Sequence, residues 1–119
     1  IRQLTRDHTY VQRLVDEGRL TREAAAGHQL RNALTNVLGG RTRSVEVDLD
    51  RLRIAPGDRL LLCSDGLTGT MTDEEIAGVL GSTATAADSC RRLVDLALER
   101  GAPDNVTVVV ARYEVPGER

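Results

Sequence analysis

Leu60-Leu61-Leu62-Cys63-Ser64-Asp65-Gly66-Leu67 and Pro103-Asp104-Asn105-Val106-Thr107-Val108-Val109-Val110 decide how this chain folds. Each joins a strongly apolar run to an aspartate at a turn. A short continuous apolar run bounded by turn residues reads as a buried strand. Asp-Gly alone is a common turn dipeptide, because glycine supplies positive φ and aspartate bonds its own backbone. These two aspartates, however, adjoin the two most apolar strands of the chain. An ionised carboxylate held near a core is costly unless it is paired or bound to a cation. If the strands are neighbours the carboxylates converge, and a cation between them offsets their repulsion. Carboxylates on strand ends are hard oxygen ligands, suited to Mg²⁺ or Mn²⁺.

Working outward, Pro56-Gly57 suits the centre of a type II turn leading into a strand over 59–63. Before it, Val45, Val47 and Leu49 alternate as a half-buried strand does, and Leu52 and Ile54 resume after a shift, which predicts a bulge near Asp50-Arg51. Leu34 to Leu38 reads as a strand closed by Gly39-Gly40, and Ile1 to Leu4 as a short first strand. Asp7 is expected to cap a helix over 8–17 that stops at Gly18, with His8 helping to start it, and Thr21 to cap a short helix over 22–26. Downstream, Thr72 with Glu75 forms a capping box ahead of a face made by Ile76, Val79 and Leu80. A helix over 84–100 carries Cys90, Leu93, Val94, Ala97 and Leu98 on one stripe and ends at Gly101. The last strand is expected over 106–115. This order predicts an α+β fold, a mainly antiparallel sheet with helices on one face, with the polar stretch from Asp7 to Asn32 as a helical excursion.

The chain has 119 residues, 40% of them hydrophobic, with neither Trp nor Phe, so Leu, Val, Ile and Ala must build the core. Its 16 basic and 18 acidic residues are mixed along the sequence, which gives no nucleic-acid surface. No apolar stretch is long enough to span a bilayer. Cys63 and Cys90 lack metal-type spacing and are expected as buried free thiols in a reducing, cytoplasmic compartment.

Ser64-Asp65-Gly66-Leu67 and Asp104-Asn105-Val106-Thr107-Val108-Val109 resemble the last two acidic motifs of the PPM (type 2C) metal-dependent protein phosphatases, in their bacterial branch. Leu4-Thr5-Arg6-Asp7-His8-Thr9, the Leu14-to-Thr21 stretch, His28-Gln29-Leu30-Arg31-Asn32-Ala33-Leu34-Thr35 and Pro56-Gly57-Asp58 are similar to that family in the same order. The resemblance implies part of an α-β-β-α sandwich and a dinuclear Mn²⁺ or Mg²⁺ centre. Such a centre activates water against phosphoserine and phosphothreonine of a phosphoprotein substrate. It implies Asp65 and Asp104 as metal ligands, Gly66 as a point of close backbone approach, and Asn105 as a group orienting Asp104, beside the equal reading of Asn105 as a turn cap. Arg31 and Asn32 fall at the end of the family's flap, here about residues 7–32: the resemblance implies a third, weaker metal near Asn32 and substrate contact for Arg31 and His28, against which His28 is expected to be simply solvated or capping. Gln29 stands where the family usually has proline.

The family's phosphate-binding arginine, the acidic ligand after it and its Asp-Gly-His-Gly motif do not occur in this sequence. The expectation is therefore a C-terminal portion of a phosphatase domain over residues 1–115, with 116–119 starting a linker. Its partner would be the N-terminal half of the same domain, without which it would be inactive and would expose an apolar sheet face. Two other readings stand beside this one. In the first the chain is a catalytically inactive phosphatase-like regulatory or binding module; in the second the aspartates only shape turns.

Overall fold

The structure, a computed structural model, describes residues 1–41, 44–102 and 104–115. Pro103 and the linker expected at 116–119 lie outside the described residues. The chain forms two compact units, one spanning Arg2–Arg51 and one beginning at Leu52.

The unit beginning at Leu52 is built on a two-stranded antiparallel ribbon. Strand β1 (Arg59–Cys63) pairs with β2 (Val108–Arg112) from Arg59↔Arg112 to Cys63↔Val108. The turn before β1 is the expected type II. Asp58 N–H donates to Ala55 O at 3.0 Å around Pro56-Gly57, and Gly57 takes φ +90°. A one-turn helix, which the sequence reading lacked, follows β1 over Asp65–Thr68. Then come a helix over Asp73–Ser82 and one over Ala86–Glu99. These five elements and the two helices of the other unit are labelled in chain order: α1 and α2 there, then β1, α3, α4, α5 and β2.

The core lies between the ribbon and its helices. Leu67, Met71, Ile76, Val79, Leu80, Leu93 and Ala97 are buried together, with Leu61, Val108 and Val110 packed on them from the ribbon. Burying each large apolar side chain contributes about 1.5–3 kcal/mol. The predicted capping box on α4 is present: Thr72 Oγ1 accepts from Glu75 N, and Glu75 Oε2 accepts from Thr72 N. Gly101 closes α5 at φ +69°, with Gly101 N–H to Leu98 O and Ala102 N–H to Ala97 O, a Schellman arrangement.

Several expectations in this unit are corrected. Strand β1 is not fully buried. Its first three residues are half-buried and its last two exposed, with Leu62 63% exposed opposite Val109, 54% exposed. Helix α5 begins at Ala86 with Thr85 as its cap. Leu98 lies on the solvent side at 61% exposure, and Leu96 packs on the core instead. Strand β2 is half the expected length, because β1 offers five pairing residues. Leu52 and Ile54 form no strand, so there is no bulge near Asp50-Arg51, where Asp50 Oδ1 instead accepts from Arg51 N. The cysteines are free as expected but not buried: Cys63 is exposed and Cys90 half-buried. Cys90 Sγ sits 3.9 Å from Val108 O. As a residue of a non-hydrogen-bonded pair, Val108 directs that carbonyl away from β1 and Cys63.

The unit Arg2–Arg51 holds α1 (Tyr10–Asp16) and α2 (Arg22–Ala26). Thr9, not Asp7, caps α1, accepting from Gln12 N, while Asp7 accepts from Gln3. Gly18 at φ +68° closes α1 through Gly18 N–H to Val15 O and Arg19 N–H to Leu14 O. Thr21 caps α2 as expected. Ile1–Leu4 and Leu34–Leu38 are not strands; a single bridge, Thr9↔Leu34, remains of the second. Val45, Val47 and Leu49 form no ladder either, and Leu49 is 93% exposed. Alternation records which side of a strand wants burial, but a strand also needs a hydrogen-bonded neighbour, and the described residues supply none here.

Candidate metal centre

Asp65 and Asp104 are brought to one end of the ribbon by its register. Cys63 pairs with Val108, and Ser64 N–H extends the ladder one step to Thr107 O at 3.0 Å. Asp65 therefore begins α3 just past the end of β1, and Asp104 lies in the loop running into β2.

The two loops are tied by side chain as well as by backbone. Ser64 Oγ donates to Asn105 O at 3.1 Å and accepts from Thr107 N at 2.9 Å. Gly66 is buried against the same carbonyl: a Cβ at this position would lie 2.3 Å from Asn105 O and 3.0 Å from its carbon. Glycine is required there by close approach, not by its φ.

Asp104 Oδ1 accepts from the backbone N–H of Asn105 at 2.7 Å. Asn105 thus holds Asp104 through its main chain, and its side-chain amide has no hydrogen bond among the described residues. Asp65 is exposed, and its carboxylate has no hydrogen-bond partner among the described residues. The donor chemistry fits a hard divalent cation: two carboxylates near one ribbon end, one of them with all its lone pairs free. Among the described residues no group of three or more His, Cys, Asp and Glu converges. An octahedral ion bound only here would take most of its ligands from water or from elsewhere.

Arg31 and Asn32 lie exposed in the turn after α2, in the unit Arg2–Arg51. His28 caps locally, as expected, through Nδ1 accepting from Leu30 N at 3.0 Å, and its ring lies 6.5 Å from that of Tyr10. His8 does not start α1. Its Nε2 meets Asp48 Oδ2 at 2.6 Å, and its Nδ1 meets Asn36 Nδ2 at 2.8 Å. Asn36 in turn clasps Glu46, donating to its carbonyl at 2.7 Å and accepting from its N–H at 3.1 Å. Because that clasp commits Asn36 Nδ2 as a donor, His8 Nδ1 accepts and Nε2 carries the proton toward Asp48. Sequence reasoning missed this cluster. Its links join residues 10, 28 and 40 positions apart, and no local pattern announces it.

The strongest electrostatic perturbation lies away from both aspartates. Arg100 grips Glu75 with two nitrogens, at 2.8 and 2.6 Å, and donates to Thr70 O. Those bonds, with the Thr72 backbone N–H, pull the Glu75 carboxyl down to about 2. The pair fixes the start of α4.

Residues 18–114 match the family described as Stage II sporulation protein E (SpoIIE). The chain is 49% identical over 109 residues to the serine/threonine protein phosphatase PstP of Mycobacterium tuberculosis, covering 92% of this chain and 21% of PstP. It is 40% identical over 111 residues to a putative protein phosphatase 2C-type of Streptococcus pyogenes, covering 93% of this chain and 45% of that protein. The chain belongs to the PPM (type 2C) phosphatase family. Its fold matches the catalytic domain of PstP in complex with two manganese ions, with a TM-score of 0.73 at 44% identity over 92% of this chain and 44% of that one. It spans less than half the length of these PPM relatives. Among the described residues no helix is long and apolar enough to cross a membrane.

Proposed function

We propose that this chain is the C-terminal portion of a cytoplasmic, metal-dependent protein serine/threonine phosphatase domain, and that Asp65 and Asp104 are its share of a Mn²⁺ or Mg²⁺ centre. One observation carries the reading: the two aspartate loops, 39 positions apart in sequence, are fastened at one ribbon end through Ser64, Gly66 and Asn105. Bound metal would supply Lewis-acid stabilisation of phosphoryl charge and an activated water. The chain's own residues hold the carboxylates: Asn105 N–H fixes Asp104, and α3 presents Asp65 to solvent. Residues 7–32 serve as the flap, from which Arg31 reaches toward a phosphoserine or phosphothreonine segment, with Asn32 at the position that approaches a third, weaker metal. The remaining ligands and the phosphate clamp come from an N-terminal half that also covers the exposed face of Leu62 and Val109. Two carboxylates do not make a complete site, so the 119 residues alone are inactive. The same two-donor set also fits a phosphatase-like binding module without catalysis, and the test separates the two.

That test is Mn²⁺-dependent hydrolysis of a phosphothreonine peptide by the 119-residue chain and by the longer protein that includes an N-terminal half. Activity in the longer protein, lost in Asp65→Asn, with none in the short chain, is the expected result. Silence in both favours the binding module. Activity in the short chain overturns the shared-site account.

A further inference from the structure

Ser64 occupies the N-cap position of α3 with extended backbone angles, φ −77° and ψ 164°, yet its side chain makes no cap bond to that helix. Thr9, Thr21, Thr72 and Thr85, the caps of the other described helices, each accept from their own first turn. Serine is among the best N-cap residues, and declining that bond forgoes helix stability. Its hydroxyl is spent across the ribbon end instead. It has one proton and two lone pairs. The proton goes to Asn105 O at 3.1 Å, and one lone pair takes Thr107 N–H at 2.9 Å.

Both bonds end in the segment that carries Asp104, and the serine precedes Asp65 directly. Asn105, whose carbonyl receives the Ser64 proton and abuts Gly66, is also the residue whose N–H holds Asp104 Oδ1. A continuous path therefore runs from the Asp65 backbone through Ser64 Oγ and the main chain of Asn105 to the Asp104 carboxylate.

We propose that Ser64 is a positioning residue: its hydroxyl sets the spacing of Asp65 and Asp104 so that both reach one divalent cation. This rests on the metal reading above. A hydroxyl that only stabilised the fold would do equally well capping α3, and the diversion places its constraint between the two carboxylate loops. Groups that orient metal ligands are worth about ten- to a hundredfold in metal affinity.

The test is Mn²⁺ titration of the longer protein, followed by electron paramagnetic resonance of the free ion, with no phosphatase readout. Ser64→Ala is expected to weaken Mn²⁺ binding by about tenfold or more, with Ser64→Thr restoring it. If Ser64→Ala lowers the melting temperature but binds Mn²⁺ as the parent does, the positioning role is overturned. If Ser64→Ala fails to fold, Ser64→Thr against the near-isosteric Ser64→Val decides, and equal affinities overturn it. Asp65→Asn runs alongside. Unchanged Mn²⁺ binding in that variant overturns the metal reading itself, a result distinct from failure at Ser64 alone.

Discussion

A side chain at Gly66 would drive its Cβ to 2.3 Å from the carbonyl oxygen of Asn105, so the two aspartate loops can meet only because residue 66 has none. The obstructing atom is backbone, itself held by Ser64 Oγ, and cannot rotate aside. Gly66→Ala must push β1 and the loop before β2 apart. Overpacking of this kind costs about 1–3 kcal/mol. The expected outcome is a lower melting temperature together with weaker Mn²⁺ binding, read by thermal denaturation with and without metal. A fully wild-type metal response in Gly66→Ala would show that the spacing does not matter.

Asp65→Asn and Asp104→Asn should behave differently from Gly66→Ala. Asp65 is exposed and lacks a hydrogen-bond partner among the described residues, so its neutral isostere leaves the metal-free fold intact. Among the described residues Asp104 bonds only the next N–H, and asparagine can keep that bond through its amide oxygen. Each variant should melt like the parent without metal and lose most of the stabilisation that Mn²⁺ confers. Calorimetric titration of the longer protein, beside metal-free melting, separates the two effects.

The Glu75–Arg100 pair sets a pH dependence with a definite sign. The folded-state carboxyl titrates at about 2, below its ordinary 4.5, because Arg100 and the Thr72 N–H bond its charged form. A depressed carboxylate contributes stability above its unfolded value and loses it as pH falls toward its folded value. Melting temperature should therefore fall between about pH 4.5 and pH 2. Glu75→Gln should start lower and flatten that segment. Both side chains are well exposed, so the step is small and fades in high salt. An unchanged slope in Glu75→Gln would assign the acid transition to other carboxylates.

Features set by near neighbours in the chain were legible; features needing a distant partner were not. The Thr72–Glu75 box, the Thr21 cap, the stops at Gly18 and Gly101 and the Pro56-Gly57 turn depend on residues within a few positions, and all appear. Val45, Val47 and Leu49 carry a strand pattern, but a strand is a relation between two segments, and these side chains stay exposed. The site divides the same way. The motifs pointed to Asp65 and Asp104, and the register places both at one ribbon end. The Ser64 bridge was hidden because its bonds run to Asn105 and Thr107, 41 and 43 positions away. The His8–Asn36–Glu46–Asp48 cluster was hidden because its members share no spacing rule.

The N-terminus of α1 tests that distinction directly. The sequence pattern places the cap at Asp7, and the structure uses Thr9, whose Oγ1 accepts from Gln12 N. Loss of a cap costs about 0.5–2 kcal/mol. Thr9→Ala should lower stability by about 1 kcal/mol, while Asp7→Ala, which removes only an exposed bond from Gln3, should be near neutral. Chemical denaturation of both variants checks the order, and a larger loss in Asp7→Ala would move the cap.

The two faces of the ribbon make opposite predictions for similar residues. Leu93 is fully buried against the ribbon's core side, and Leu93→Ala should cost about 2–5 kcal/mol through lost transfer energy and a residual cavity. Leu62 lies on the other face, 63% exposed beside Val109. In the 119-residue chain Leu62→Thr keeps strand propensity and removes exposed apolar area, so it should leave stability nearly unchanged and raise solubility. In the longer protein the same substitution should destabilise, because there Leu62 is expected to be covered by the N-terminal half. Denaturation of both variants in both lengths reads this out. If Leu62→Thr is neutral in the longer protein as well, the N-terminal half does not cover this face, and the half-domain account of the chain loses its packing argument.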